Sequence, residues 1–225
     1  MNKGILFDFN GTMFFDSPKH KIAWDVFSRK YRGKPITDEE MEHMHGQTNQ
    51  QIIKILMGDM SEEESTKLSE DKEALYREIC AQEPESFHLV PGLSELLDQL
   101  KEEGVPMTIC SASIKANIDF FISSFRLDRW FDVNKIVYDD GLHENKIAMF
   151  QDGAQRIGVP IDQCIVIEDS LSGIDFAYRC KVAGIIAITT PDKEESYLKL
   201  PGVNKVIFDY KGLDSTLFKD SKRVC

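Results

Sequence analysis

The chain has 225 residues, of which 42% are apolar and 29% are charged, and this composition is typical of a globular protein and excludes general disorder. At about 150 residues per domain, the length favours one large unit that carries a smaller insertion over two equal halves. The net charge of −11 argues against sequence-independent binding to nucleic-acid phosphates or to anionic membranes.

The cysteines and the apolar runs indicate the type of compartment. There are 5 cysteines and no C-x-x-C pair, which predicts reduced thiols, mostly buried, in a cytoplasmic protein. Asp8 interrupts the N-terminal apolar run before a signal peptide can form. No apolar run approaches the roughly 18 residues that a membrane span requires. The cysteines are Cys80, Cys110, Cys164, Cys180 and Cys225.

The predicted elements begin with one strand and continue with a long helical stretch. Residues 4–9 form a short apolar run, and Asn10-Gly11 ends it with turn chemistry. From 17 to 85 the apolar residues recur at helical spacing, and no convincing strand interrupts them. An all-helical insertion therefore follows the first strand.

Strands and helices alternate in the rest of the chain. The patterns predict strands at 105–110, 136–138, 164–167 and 184–189, and helices at 93–103, 114–125, 147–157 and 172–180. Such alternation indicates βαβ units and a parallel sheet. We therefore predict an α/β fold with a doubly wound parallel sheet, comprising residues 1–16 and 86–225, with a helical domain at 17–85 inserted into it.

Polar side chains follow several of the predicted strands. They are Asp8 and Asn10, Ser111 and Ser113, and Glu168 and Asp169. The carboxyl ends of parallel strands meet at one edge of a sheet, so we expect these side chains to converge there. Carboxylates brought together repel each other unless a cation lies between them, and Mg²⁺ prefers oxygen ligands. The sequence therefore predicts a magnesium site suited to phosphoryl chemistry, whereas simple capping by each acid is the alternative.

These residues also resemble a known family. Asp8-Phe9-Asn10-Gly11-Thr12, Ser111 after a strand, Lys146 downstream and Glu168-Asp169-Ser170 are similar to the four motifs of the haloacid dehalogenase superfamily. The helical insertion resembles the α-helical (C1-type) cap of its β-phosphoglucomutase-like branch. The resemblance covers essentially the whole chain and implies a Rossmann-like core with a cap that closes over the substrate.

The resemblance implies a role for each matching residue of the core. Asp8 would be the nucleophile that accepts the phosphoryl group. Mg²⁺ would be held by Asp8, Asp169 and the backbone carbonyl of Asn10, with Glu168 as a further ligand or an anchor. The groups that would bind the phosphoryl oxygens of the substrate are Thr12, Ser111, the backbone N–H of Ala112 and Lys146.

In the cap, the resemblance implies four substrate-binding positions: Gly46, His20, Asn49 and Lys72. His20 and Lys72 match residues that β-phosphoglucomutase uses, but Asn49 stands where that mutase has an arginine. An arginine suits a second phosphate better than an amide does, which favours a hydrolase over a phosphomutase. For His20, a cap-face histidine with no catalytic role is the alternative.

Lys146 departs mildly from the family pattern. It lies 158 − 146 = 12 residues before Gly158, where the family has about fourteen, and both family prolines after the lysine are missing. An ordinary solvated lysine is the alternative interpretation.

Asn10 is the larger departure, because the family normally has an aspartate there as general acid and base. A carboxamide cannot relay a proton, and the loss of acid–base catalysis typically costs about 10²–10⁴ in rate. The leaving group could need no protonation, or His20 could supply the proton. Alternatively, the chain could be mainly a phospho-ligand binder, or the asparagine could be an engineered change.

The sequence as a whole predicts a Mg²⁺-dependent phosphatase of a small phosphorylated metabolite of the sugar phosphate class. A phosphomutase of the β-phosphoglucomutase type and a catalytically weak binding protein are the alternatives. We expect a monomer or a weak dimer, with neither nucleic acid nor membrane as a partner.

Overall fold

The computed structural model describes residues 3–44 and 48–218. Two compact units divide these residues. One comprises residues 3–15 and 88–218, and the other is Asp16–Phe87. The second unit thus begins at Asp16 rather than at 17 and ends at Phe87 rather than at 85.

The unit Asp16–Phe87 consists of helices. They are α1 (Ser17–Arg32), α2 (Asp38–Met44), α3 (Asn49–Met57) and α4 (Glu62–Gln82), with a short 3₁₀ turn at Pro84–Ser86. Side chains satisfy the first backbone N–H groups of α3 and α4, because Thr48 and Ser61 accept from Gln51 and Glu64. A separate apolar core with Trp24, Phe27 and Ile53 stabilises this unit.

The other unit contains a six-stranded sheet. Its strands are β1 (Gly4–Phe7), β2 (Met107–Ile114), β3 (Val137–Asp139), β4 (Cys164–Glu168), β5 (Gly184–Ile188) and β6 (Val203–Ile207). All neighbours pair in parallel, in the order β3-β2-β1-β4-β5-β6. From β1 the chain first builds the sheet towards β3 and then returns to add β4 on the other side. This switch point lies between β1 and β4, where open α/β sheets bind their ligands.

Five helices connect the strands of this unit: α5 (Leu93–Glu102), α6 (Lys115–Phe125), α7 (Lys146–Ile157), α8 (Leu171–Arg179) and α9 (Glu194–Leu198). The strands β1, β4 and β5 are buried along their whole length, as expected for the central strands of a parallel sheet. Phe150 and Ala154 of α7 pack into the core with Leu6 and Val166. A side chain at Gly153 would clash with Cys110, which shows how closely α7 approaches β2.

Two features differ from the sequence prediction. The strand predicted to end at Cys110 continues to Ile114, so Ser111 and Ser113 lie within β2 and not after it. Its pairing with β3 shifts register between Cys110 and Ile114, so the ladder is locally irregular at the residues that include both serines. The prediction also missed β6 with its preceding helix α9, because β6 is an edge strand with only one fully buried residue, Ile207.

None of the helices in the described part of the chain has the length and apolar character needed to cross a membrane.

Candidate active site

Three carboxylates converge at the switch point of the sheet. Asp8 follows β1, Glu168 is the last residue of β4, and Asp169 comes next. The backbone N–H of Asp8 donates to the carbonyl of Ile167 at 3.0 Å, which continues the pairing of the two strands to their ends. One oxygen from each carboxylate lies within 4.8 Å of the others. The convergence predicted from the strand ends is thus present in the structure.

Lys146 carries the positive charge of this cluster. It is the first residue of α7, its side chain is only 13% exposed, and its Nζ donates to Asp8 Oδ1 at 2.7 Å and to Glu168 Oε1. Burial alone lowers the pKa of this ammonium group, but the charges of Asp8 and Glu168 outweigh that effect and raise it. Burial raises the pKa of Asp8 to about 6, although Lys146 opposes this rise.

Hydrogen bonds from Thr12 and Ser170 orient the carboxylates. The Thr12 hydroxyl lies 3.1 Å from Asp8 Oδ2 and 3.4 Å from Asp169 Oδ1, and its single proton can serve only one of them at a time. Ser170 donates to Glu168 Oε2 through its backbone N–H at 2.6 Å and through its hydroxyl at 3.0 Å. Glu168 is fully buried, and both of its oxygens have donors.

Two glycines allow the backbone to approach these carboxylates. Gly11 has a φ of 76°, and a side chain there would clash with the Asp169 carboxylate. A side chain at Gly173 in α8 would clash with the Glu168 carboxylate. The site therefore depends on glycine on both sides.

Asn10 contacts the serines of β2. Its Oδ1 accepts from Ser113 Oγ at 2.7 Å and lies 3.4 Å from Ser111 Oγ. Ser111 is buried, whereas Ala112, whose N–H was expected to bind phosphate, is exposed in the same strand. The three residues Asn10, Ser111 and Ser113 form a polar edge of the site on the side of β2.

Two buried tyrosines hold the loops that carry the acids. Tyr210 donates to the carbonyl of Thr12 at 3.1 Å, and Tyr197 donates to the carbonyl of Asp169 at 2.9 Å. Burial raises the pKa of Tyr210 well above its usual value, with a further contribution from the charges of Asp8 and Asp169. Its hydroxyl therefore stays protonated and remains a donor.

The donor set fits a magnesium ion. Three carboxylates within reach of one another offer oxygen atoms, which are the ligands that Mg²⁺ prefers. Lys146 supplies one positive charge against three negative ones, so a divalent cation would complete the neutralisation.

The residues expected at the substrate in the helical unit form a second cluster. The cluster contains His20 of α1, Asn49 of α3, and Lys72 and Glu73 of α4. Asn49 Nδ2 and Lys72 Nζ each donate to Glu73 Oε1 at 2.7 Å. Lys72 Nζ also lies 2.8 Å from His20 Nδ1, and only 1% of its side chain is exposed. Burial lowers the pKa of Lys72, although Glu73 opposes this.

His20 is held on two further sides in that cluster. Its ring stacks on Tyr76 with 4.0 Å between the ring centroids, and its Nε2 lies 3.2 Å from Asp16 Oδ2. Gly46, expected in the specificity loop, lies outside the described residues.

Several residues of these two clusters were missed from the sequence. Ser113 was noted at the strand end but was not assigned a role, and Glu73, Tyr197 and Tyr210 were not considered. The position of Ser113 after a strand was a usable signal. Nothing local in the sequence marks Tyr197 and Tyr210, whose partners are 28 and 198 positions away, and the Lys72-Glu73 pair is not distinctive in a charged helix.

Comparison with known proteins identifies the family to which this fold belongs. A family model described as haloacid dehalogenase-like hydrolase matches residues 2–180. The solved structure of a HAD hydrolase of family IA, variant 3, from Entamoeba histolytica is 33% identical, covers 94% of this chain and 95% of its own, and has a TM-score of 0.86. Hexitol phosphatase A of Escherichia coli is 26% identical over 91% of this chain and 93% of its own length.

A haloacid dehalogenase-like hydrolase domain-containing protein of Arabidopsis thaliana is 24% identical over 58% of this chain. The match spans only 40% of the length of that plant protein. The family model, in contrast, covers most of the present chain. The predicted fold class and family are thereby confirmed, and the chain belongs to the haloacid dehalogenase-like hydrolases.

Proposed function

We propose that this protein is a Mg²⁺-dependent phosphatase that hydrolyses a small phosphorylated metabolite of the sugar phosphate class, with Asp8 as the nucleophile. The observation that carries the proposal is the position of the Asp8 carboxylate, which lies 2.7 Å from the Lys146 ammonium and in one cluster with Glu168 and Asp169. The similarity to a hexitol phosphatase over nine-tenths of the chain supports the substrate class.

The proposed reaction has two displacements at phosphorus. An Asp8 oxygen forms a bond to phosphorus while the ester P–O bond breaks, and the alcohol oxygen leaves with the electron pair and takes a proton from solvent water. Water then attacks the same phosphorus and gives one proton back to solvent, the bond between phosphorus and Asp8 breaks, and inorganic phosphate and the Asp8 carboxylate are released. Lys146 stabilises the negative charge on the transferring oxygens, and Ser111 and the N–H of Ala112 donate hydrogen bonds to them.

The proposed metal ligands are Asp8, Asp169 and the backbone carbonyl of Asn10. Glu168, which already accepts from Lys146 and Ser170, serves as a further ligand or as an anchor. When bound, Mg²⁺ supplies positive charge that offsets the charge of the phosphoryl group.

Asn10 sets the type of leaving group in this proposal. Its amide accepts a hydrogen bond from Ser113 and has no titratable proton, so it cannot protonate a departing alkoxide. We therefore propose slow turnover of alkyl phosphates and faster turnover of esters whose leaving group is a weak base.

Hydrolysis is proposed in preference to phosphomutase activity because a mutase must bind a second phosphate. Asn49, which stands where the mutase has an arginine, and Lys72 both donate to Glu73. The Glu73 carboxylate thus neutralises the one cation of this pair within the helical unit.

A phosphate-release assay tests the proposal. The protein is incubated with a panel of phosphate monoesters, including hexitol and sugar phosphates, with Mg²⁺ or with a chelator. We expect Mg²⁺-dependent release of phosphate, its loss in Asp8→Asn, and a borohydride-reducible acyl phosphate on the peptide that contains Asp8. Activity that survives in Asp8→Asn would refute the nucleophile, and activity unaffected by the chelator would refute the metal.

A further inference from the structure

The loop that precedes Lys146 connects β3 to the helix on which this residue lies. It runs from 140 to 145, between β3 and α7, contains no proline, and carries Leu142, which is 83% exposed. Lys146 follows directly as the first residue of α7. The backbone of the loop is thus continuous with the residue whose Nζ contacts Asp8 and Glu168.

His143 fastens the middle of this loop to the helix. Its side chain is only 12% exposed, and its Nε2 lies 2.9 Å from Oδ2 of Asp152, which is in the second turn of α7. Its Nδ1 lies 3.3 Å from Asp140 Oδ1, within ion-pair distance but without the geometry of a hydrogen bond. The contact with Asp152 is therefore the directional one, and since an ionised carboxylate only accepts, Nε2 carries the proton.

Asp152 is itself held in place by Arg156. The guanidinium contacts Asp152 Oδ1 at 3.0 Å through Nε and Oδ2 at 2.7 Å through Nη2, and its Nη1 donates to the carbonyl of Ile136 at 2.9 Å. Burial acts to raise the pKa of Asp152, but the hydrogen bonds from Arg156 and His143 lower it below its ordinary value. The acceptor of His143 is thus an ionised carboxylate on α7 that Arg156 holds in place.

The backbone N–H groups in the first turn of α7 report on the position of the loop. Asn145 caps the helix, because its Oδ1 accepts from the N–H groups of Ile147 at 2.9 Å and of Ala148 at 3.3 Å. Asn145 lies two residues after His143 in the same loop, so these amides stay protected only while the loop keeps its position.

We infer that His143 is a positioning residue for Lys146, which acts by hydrogen bonding the 140–145 loop to Asp152 and so holds the ammonium group between Asp8 and Glu168. The inference rests on the proposed function for its catalytic consequence only. His143 does not touch the carboxylate cluster, and its effect on the reaction passes through the loop and Lys146.

The test compares His143→Ala with His143→Gln, because the amide nitrogen of glutamine reaches about as far as Nε2 and can donate to Asp152. His88→Ala is the matched control, since His88 is an exposed histidine of the same unit whose Nδ1 lies 2.9 Å from the neighbouring carbonyl of Leu89, away from the 140–145 loop in the chain. Each variant is examined by amide hydrogen exchange and by steady-state kinetics.

In His143→Ala we expect faster exchange of the Ile147 and Ala148 amides and a loss of about tenfold in kcat with a smaller change in KM, because small misplacements of a catalytic group are costly. His143→Gln should retain both properties within about twofold, and His88→Ala should match the wild type.

Unchanged exchange at these amides in His143→Ala would overturn the inference, as would faster exchange with an unchanged kcat. An equal loss in His143→Gln would overturn the role of the hydrogen bond. If the wild type releases no phosphate, the proposed function fails, while the exchange experiment still decides whether His143 holds the loop.

Discussion

Replacement of Asn10 by aspartate should accelerate the proposed reaction. The two side chains have the same shape, and the oxygen that accepts from Ser113 Oγ at 2.7 Å would be retained. The change exchanges the amide nitrogen for an oxygen that can carry a proton. The substitution therefore tests proton transfer with little disturbance of the packing.

The size of the gain follows from two opposing effects. General acid–base catalysis typically contributes about 10²–10⁴, which corresponds to roughly 3–5 kcal/mol of activation free energy. The charges of Asp8, Glu168 and Asp169 repel a further carboxylate, which favours the protonated form of the new aspartate but makes it a weaker acid towards the leaving group. We therefore expect a gain of at least about tenfold and not the full range.

The assay compares two substrates with one enzyme pair. For an alkyl phosphate, whose leaving group is a strong base, Asn10→Asp should raise kcat/KM at least about tenfold, and for p-nitrophenyl phosphate, which needs no protonation, the gain should be small. The Asp8→Asn, Asn10→Asp double variant should be inactive. Peptide mass analysis must show intact Asn10 in the reference sample, because an Asn-Gly pair can deamidate. Equal rates for the alkyl phosphate, or equal gains for both substrates, would refute the reasoning.

Three further substitutions probe the two clusters. Glu73→Gln removes the carboxylate that pairs with the Lys72 ammonium, which is only 1% exposed, and should lower the free energy of unfolding by about 3–5 kcal/mol in a denaturant titration. The additional substitution Lys72→Met should recover most of that loss. If the losses of the two substitutions simply add, the pairing is contradicted. Gly173→Ala places a methyl group against the Glu168 carboxylate and should weaken Mg²⁺ binding about 10–100-fold, as measured by calorimetric titration. An unchanged affinity would show that Glu168 does not support the metal. Tyr210→Phe removes the hydrogen bond to the buried carbonyl of Thr12 and should lower the free energy of unfolding by about 1–3 kcal/mol. The control Tyr178→Phe, at an exposed tyrosine, should change it very little. Equal losses in the two variants would contradict the role of the hydrogen bond.

The sequence alone was sufficient for the parts of the site that follow from local pattern and topology. Asp8 and Glu168 each end an apolar run, and parallel strands bring such ends to one edge of the sheet. The same periodicity distinguished the helical stretch from the strands, since apolar spacing is a local property. The periodicity did not reveal β6, because an edge strand buries few residues and therefore has few apolar positions to mark it.

The tertiary structure decided which side chains meet. Lys146 is 138 residues from Asp8 and 22 from Glu168 in the chain, yet its ammonium contacts both carboxylates. The bonds from Ser113 to Asn10 and from Tyr210 to Thr12 likewise join residues 103 and 198 positions apart. Such contacts require donor and acceptor atoms to be placed to within a fraction of an ångström by the packing of helices and loops on the sheet. Hydrophobic periodicity along the chain carries no information about the separation of these atoms.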